Sequence, residues 1–225
     1  MLHRSLAVAA LIPFCLLAGC NDDDSTTGVN TSTATVRFIN ATNTNIDVAN
    51  AGSVGTGNGN RGFGASSTCM TVNTTGAGLT FTQAGTTTAI PGFTPSFNTN
   101  GNFTVVAIPT STGTQFLTLD NSGFTATAGQ AGLRVVNAAS GSGSIIALGG
   151  GTVLGTGTGV PFGTGGSFTS AAAGSQAITF NTGTGTATVA NAGTLNLTAG
   201  QNYTRVVAPE ASGSTTLRTF LVTGC

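Results

Sequence analysis

The sequence of 225 residues has no lysine and no tryptophan, and it has one histidine, one tyrosine and only 5% charged residues. An ordinary domain carries about 25% charged residues. The one histidine is His3, in a segment read below as a targeting peptide. A mature chain without histidine or lysine lacks the commonest general base and the amine nucleophile. Ser-His-Asp and Cys-His arrangements are thereby excluded, as are histidine-bearing zinc sites. Beyond residue 34 the carboxylates are Asp47, Asp120 and Glu210. Two of them could pair as a glycosidase pair does, which leaves a carboxylate-based hydrolase as a distant enzymatic alternative. Scattered as they are, they read instead as partners for Arg37, Arg61, Arg134, Arg205 or Arg218. No catalytic residue, metal ligand or cofactor site is expected. The formal net charge of +0 gives no reason to expect nucleic acid as a partner. The glycine-rich runs are not phosphate loops, because no Gly-Lys-Ser/Thr follows them.

Long apolar runs are missing as well, apart from Leu6 to Leu17, which is short for a permanent membrane helix. With His3 and Arg4 before it, this run has the form of a signal peptide. Leu17-Ala18-Gly19-Cys20 resembles a bacterial lipobox, so residues 1–19 are expected to be removed and Cys20 to carry lipid. Leu17 fits ordinary secretory cleavage at small residues poorly. Residues 20–34 form a polar, acidic tether that has nothing to bury. Asp22-Asp23-Asp24 reads as a solvated spacer, since a calcium site needs oxygens converging from a shaped loop. The residue after Cys20 is Asn21 rather than Asp, which favours the outer over the inner membrane of a bacterial envelope.

What the chain does have is repetition. Val36-Arg37-Phe38-Ile39-Asn40-Ala41 returns as Leu133-Arg134-Val135-Val136-Asn137-Ala138. In a strand Val36 and Phe38 share one face and Arg37 takes the other. Asn40 and Asn137 close the strands, where an Asx-turn suits the exit. Later pairs keep the order: Gly62-Phe63-Gly64 with Pro161-Phe162-Gly163, Thr80-Phe81 with Thr179-Phe180, Phe103-Thr104 with Tyr203-Thr204, Pro109 with Pro209. The reading is a tandem duplication of a module of roughly 95 residues, at 35–132 and 133–225.

With Ile46-Asp47-Val48, Gly101-Asn102-Phe103-Thr104-Val105-Val106-Ala107 and Ala199-Gly200-Gln201-Asn202-Tyr203-Thr204 added, the chain over about residues 35–225 resembles the bacterial secreted family called domain of unknown function 4397. The resemblance implies Ig-like β-sandwiches in an envelope protein, and it implies no activity. In the second copy Ile145-Ile146-Ala147 replaces the Asp-bearing strand, so any role of Asp47 belongs to the first module.

The fold expected is all-β, two tandem Ig-like antiparallel sandwiches. Short β-prone runs set off by Gly, Asn, Thr and Pro carry this expectation. Strands are predicted at 35–40, 46–50, 68–73, 79–83, 86–90, 103–108 and 114–119, and again at 133–137, 144–148, 167–171, 176–181, 185–190, 203–208 and 216–222, with Leu195-Asn196-Leu197 a further candidate. Gly149-Gly150-Gly151 and residues 155–159 read as a long flexible loop, and Gln130-Ala131-Gly132 as the whole hinge, short enough for the two modules to pack against each other. The threonines of residues 182–188 share one strand face, and a solvent-facing strand accounts for them.

Of four cysteines, Cys15 leaves with the signal peptide and Cys20 is lipidated. Cys69 and Cys225 remain in an exported protein, where disulfides persist. A bond between them would close a long loop, worth roughly 4–5 kcal/mol in the chain-entropy model. The alternative is two free thiols, with Cys69 a small buried hydrophobe, because Cys69 aligns with Phe168, a position expected in the second core. Two functions stay open. One is a lipid-anchored binding or adhesion protein that uses loops or strand edges on an envelope protein or polysaccharide. The other is a structural envelope protein that packs with its own copies or with other surface proteins.

Overall fold

The computed structural model describes residues 32–154, 157–183, 188–210 and 214–225. The expected signal peptide, Cys20 and most of the tether lie outside these residues, as do parts of the 155–159 run and of the 182–188 threonine row. Every regular element among the described residues is a strand. The first body contains β1 (Thr33–Asn40), β2 (Ile46–Asn50), β3 (Ser53–Val54), β4 (Met70–Asn73), β5 (Thr80–Gln83), β6 (Asn102–Thr110) and β7 (Gly113–Asp120). The second contains β8 (Gln130–Asn137), β9 (Ile145–Gly149), β10 (Thr152–Leu154), β11 (Thr164–Gly165), β12 (Thr169–Ala172), β13 (Gly174–Thr182), β14 (Thr188–Leu197), β15 (Asn202–Pro209) and β16 (Leu217–Thr223).

Each body is built from two sheets. In the first these run β4-β1-β6-β7 and β3-β2-β5; in the second, β11-β8-β15-β16, with β12 also on β8, and β10-β9-β13-β14. The repeated hexapeptides form β1 and β8, and both pair in parallel with a late strand, β6 or β15. The registers coincide: Val36 lies opposite Phe103 and Arg37 opposite Thr104, as Leu133 lies opposite Tyr203 and Arg134 opposite Thr204. The two sheets that carry β1 and β8 are therefore mixed rather than purely antiparallel as expected, while the other two are antiparallel throughout. A parallel pair needs a long crossover, and the strands of the other sheet supply it.

Three apolar clusters follow from strand alternation. Val36, Phe38, Phe103, Val105 and Ala107 point inward onto Ile46, Val48 and Phe81 of the facing sheet. Phe81 is the hub of the first core, with ring centroids 4.9 Å from Phe38 and 4.7 Å from both Phe93 and Phe116. Leu133, Val135, Tyr203 and Val207 pack in the same way onto Ile145, Ala147, Ile178 and Phe180. The third cluster uses the opposite faces of the same strands: Ile39, Val106, Ile108 and Leu119 meet Val136, Val206, Ala208 and Val222. The sheets carrying β1 and β8 thus pack back to back, and β1, β6, β8 and β15 are buried on both faces. Each residue of this junction has its counterpart at the matched position of the other body, as in an isologous interface.

Several expectations are corrected. Residues 86–90 do not form a strand: Thr86, Thr87, Thr88 and Ala89 are exposed, and the segment is tied down by Thr86, which donates to the Gln83 carbonyl, by a bridge from Thr82 to Ala89 and by the bond from Ile90 N to the Phe81 carbonyl. The Gly149-Gly150-Gly151 run is a hairpin between β9 and β10, turned by Gly150 (φ 57°) and Gly151 (φ 82°). Two consecutive positive φ values suit a two-residue hairpin turn. The supposed hinge Gln130-Ala131-Gly132 is the start of β8 and pairs with Ala172, Ala171 and Ser170.

Candidate functional site

The junction gathers most of the polar chemistry. Arg37 leaves β1 on its junction face, crosses to the other body and donates from Nη1 to the carbonyl (2.6 Å) and hydroxyl (3.0 Å) of Thr223. Arg134 leaves β8 in the same way and donates to the carbonyl of Asp120 in the first body (2.9 Å). Asp120 and Thr223 are matched residues, lying opposite Phe103 and Tyr203. The two repeated arginines therefore exchange across the junction, each tying down the last residue of the other body's final strand. Arg134 also donates to Asn121 Oδ1 (2.5 Å) and Thr204 Oγ1 (3.0 Å). Burial lowers its pKa to about 10, offset in part by Asp120, so it stays protonated at neutral pH.

Beside each arginine lies a further contact, of a different kind in the two places. Next to Arg37, Cys69 and Cys225 form a disulfide with a Cα–Cα distance of 5.9 Å, joining residues 156 apart. Both residues are exposed, and Arg37 Nη2 donates to Cys69 Sγ at 3.1 Å. At the matched place beside Arg134, Phe168 stacks on Phe124 at 5.2 Å, and the guanidinium lies 4.3 Å from the Phe168 ring centroid. Such a pairing is worth roughly 0.5–2 kcal/mol, depending on desolvation. Phe168 is half-buried against Arg134 rather than in the second core, so the alignment of Cys69 with Phe168 does not argue for a core thiol.

The carboxylates are dispersed. Asp47 on β2 accepts from the N–H groups of Asn60 (2.5 Å) and Gly85 (3.1 Å), tying two loops to its strand. Asp120 accepts from Ser122 N (2.7 Å). Glu210 forms an ion pair with Arg218. Of the expected arginine–carboxylate partnerships this is the salt bridge among the described residues. Arg61 donates to the carbonyls of Gly59 and Ser66. Arg205 points inward beside Tyr203 and Val207, at the position of Val105. It donates to the Ala192 carbonyl and to Thr219 Oγ1, and its Nε is buried without a partner. Desolvation lowers its pKa to about 10.

The two hexapeptide asparagines are buried clamps. Asn40 donates to the carbonyls of Thr44 and Arg61 (both 2.7 Å) and accepts from the N–H and hydroxyl of Thr42 (both 2.8 Å). Asn137 repeats this with Gly143, Val160 and Ala139. The expected Asx-turn is present, and the same side chain also gathers a second loop. The loops so held carry Phe63 and Phe162 into the junction, where Phe63 meets Phe220 edge-on at 5.5 Å. Gly64 (φ 75°) and Gly163 (φ 77°) follow them, and a Cβ on Gly64 would come within 3.4 Å of the Phe220 ring.

With the inner faces consumed, the outer hairpins remain for contact. Val54 on β3 (48% exposed) and Val153 on β10 (42% exposed) are the large apolar side chains standing out among the described residues. They are matched positions, opposite Ala49 and Leu148, on edge strands of the two outer sheets. Sequence reasoning missed both hairpins, although Ala51-Gly52 and Gly150-Gly151 at their turns were the available cue.

Residues 34–148 match the family described as domain of unknown function (DUF4397). The match spans the first body and runs through β8 into β9. No curated protein matches the chain.

Proposed function

The chain belongs to the DUF4397 family, and from that premise we propose that it is a lipid-anchored bacterial envelope protein displaying two Ig-like sandwiches as one stiff binding or adhesion unit. Residues 1–19 serve as the signal peptide, Cys20 carries the lipid, and residues 20–34 are the tether. Two or more acyl chains hold a protein stably on a bilayer where a single one does not. The anchor places the protein on the outer membrane. Its partner is an envelope protein or polysaccharide.

The observation that supports this reading is the pair of exposed valines on matched edge hairpins, Val54 and Val153. A free strand edge is a template for another chain, and the back-to-back packing directs both edges outward. The test is crosslinked pull-down from intact cells, comparing the wild type with Val54→Asp/Val153→Asp. The reading expects a recurrent envelope component on the wild type and its loss from the double variant, with membrane fractionation unchanged. Equal capture by both proteins would contradict it.

A further inference from the structure

Arg37 is an unusual cation. Burial lowers its pKa, and among the described residues it forms no salt bridge. Its Nη1 is fixed by Thr223, its Nε is buried without a partner, and its remaining contact is Nη2 to Cys69 Sγ at 3.1 Å. The matched Arg134 spends that direction on the face of Phe168. In the first body, then, a guanidinium that the fold delivers to an aromatic ring in the second is delivered to sulfur. That sulfur and its partner are both on exposed residues.

We propose that Cys69–Cys225 is a thiol-exchange site, in which Cys69 is the sulfur that departs and returns as an Arg37-stabilised thiolate. The reductant is a dithiol. One of its thiolates attacks Cys225 Sγ. A new S–S bond forms there as the Cys69–Cys225 bond breaks, and the electron pair leaves on Cys69 Sγ beside the guanidinium. The second thiol of the dithiol, as thiolate, then attacks its own sulfur in the mixed disulfide. Cys225 leaves and takes up a proton. The dithiol ends oxidised to a disulfide, the protein pair ends reduced, and the second proton goes to solvent. Reoxidation runs the same steps backwards: Cys225, as thiolate, attacks the disulfide of the oxidised dithiol, and the Cys69 thiolate then attacks Cys225 Sγ, re-forms the protein disulfide and expels the dithiol sulfur. A thiol beside an arginine ionises below its ordinary value near 8.5 and leaves more readily. Among the described residues Arg37 is the charged side chain in contact with this pair, and it reaches Cys69 Sγ.

The experiment uses the full chain, reduced, freed of reductant and pulsed with iodoacetamide between pH 5 and 9. Peptide mapping then assigns the label to Cys69 or Cys225. The proposal expects Cys69 to be alkylated about tenfold faster than Cys225 at pH 6, with a profile displaced well below the ordinary thiol range. Arg37→Gln should return the Cys69 profile to that range. Arg134→Gln, which disturbs the junction at the matched place but removes a cation from Phe168, should leave it displaced. The proposal is overturned if the wild-type profiles of Cys69 and Cys225 coincide in the ordinary range. It is equally overturned if Arg37→Gln leaves Cys69 unchanged, or if Arg134→Gln moves it as far as Arg37→Gln does.

Discussion

Arg37 of the first body holds the carbonyl of Thr223 in the second at 2.6 Å, and one repeat unit later Arg134 returns the contact to Asp120. A strand that opens each copy would ordinarily present such an arginine to solvent. Here each arginine secures the other body's last strand, so matched positions of the two bodies exchange contacts at the junction. Around the crossed pair lie the apolar faces of β1, β6, β8 and β15, the Cys69–Cys225 disulfide at one end and the Phe124–Phe168 stack at the other.

The junction behaves as core. Ile39 is fully buried there, so Ile39→Ala should cost about 2–5 kcal/mol, the range for deleting a large aliphatic side chain from an interior. Bodies merely tethered to one another would leave Ile39 on a surface, where such a change stays within about 0.5 kcal/mol. Urea unfolding of the two proteins separates the cases.

Asn40 gives a sharper test, because Asp has nearly its shape but cannot donate. Asn40→Asp removes both bonds to the carbonyls of Thr44 and Arg61. A buried acceptor left without a partner costs about 1–3 kcal/mol. The variant should lose several degrees of melting temperature despite the minimal change of volume. A melting temperature equal to that of the wild type would mean that these carbonyls find other partners.

How much of this could be read beforehand differs from element to element. The long strands were legible as β-prone runs bounded by Gly, Asn, Thr and Pro, and the asparagine turns from the hexapeptides. The hairpins carrying Val54 and Val153 were not, because β3 and β10 are two and three residues long and offer no period to detect. The junction left a trace that went unread. Thr104 to Ile108 and Tyr203 to Ala208 are largely apolar runs without alternation, the pattern of a strand buried on both faces. Residues 86–90 misled in the other direction: threonines have high β propensity, but burial and pairing decide the outcome.

Arg205 predicts a stabilising exchange. Its counterpart is Val105, and Thr219, whose hydroxyl it bonds, stands at the position of Phe116. Arg205→Val/Thr219→Phe would restore the ring pair that Phe116 makes with Phe81, now with Phe180. Replacing a buried charge by apolar side chains of fitting volume is often neutral or stabilising by about 1–4 kcal/mol, so the double variant should melt higher at pH 7. The folded pKa of about 10 lies below the ordinary 12.5. The cost of holding the charge is therefore present at all pH values below about 10. It is relieved only above that, as the folded state releases the proton first. The advantage of the variant should be constant from pH 5 to 9 and shrink beyond. A variant less stable than the wild type would show that the bonds of Arg205 outweigh its burial.

Removing the disulfide should weaken the junction without dissolving it. Cys225→Ser opens a link between residues 156 apart, a loss of up to about 5 kcal/mol in the chain-entropy model. Guanidinium unfolding should show a lower midpoint with the fold retained, since the apolar contacts and the Phe124–Phe168 stack persist. An unchanged midpoint would mean that the bond contributes nothing beyond those contacts.

The claim that the two bodies form one mechanical unit is tested most directly by scanning calorimetry of the purified Cys20→Ser chain with its disulfide intact. A shared core at the junction predicts a single transition whose calorimetric and van't Hoff enthalpies agree. Two separable transitions, each with about half the enthalpy, would show that the bodies unfold independently and would contradict the account.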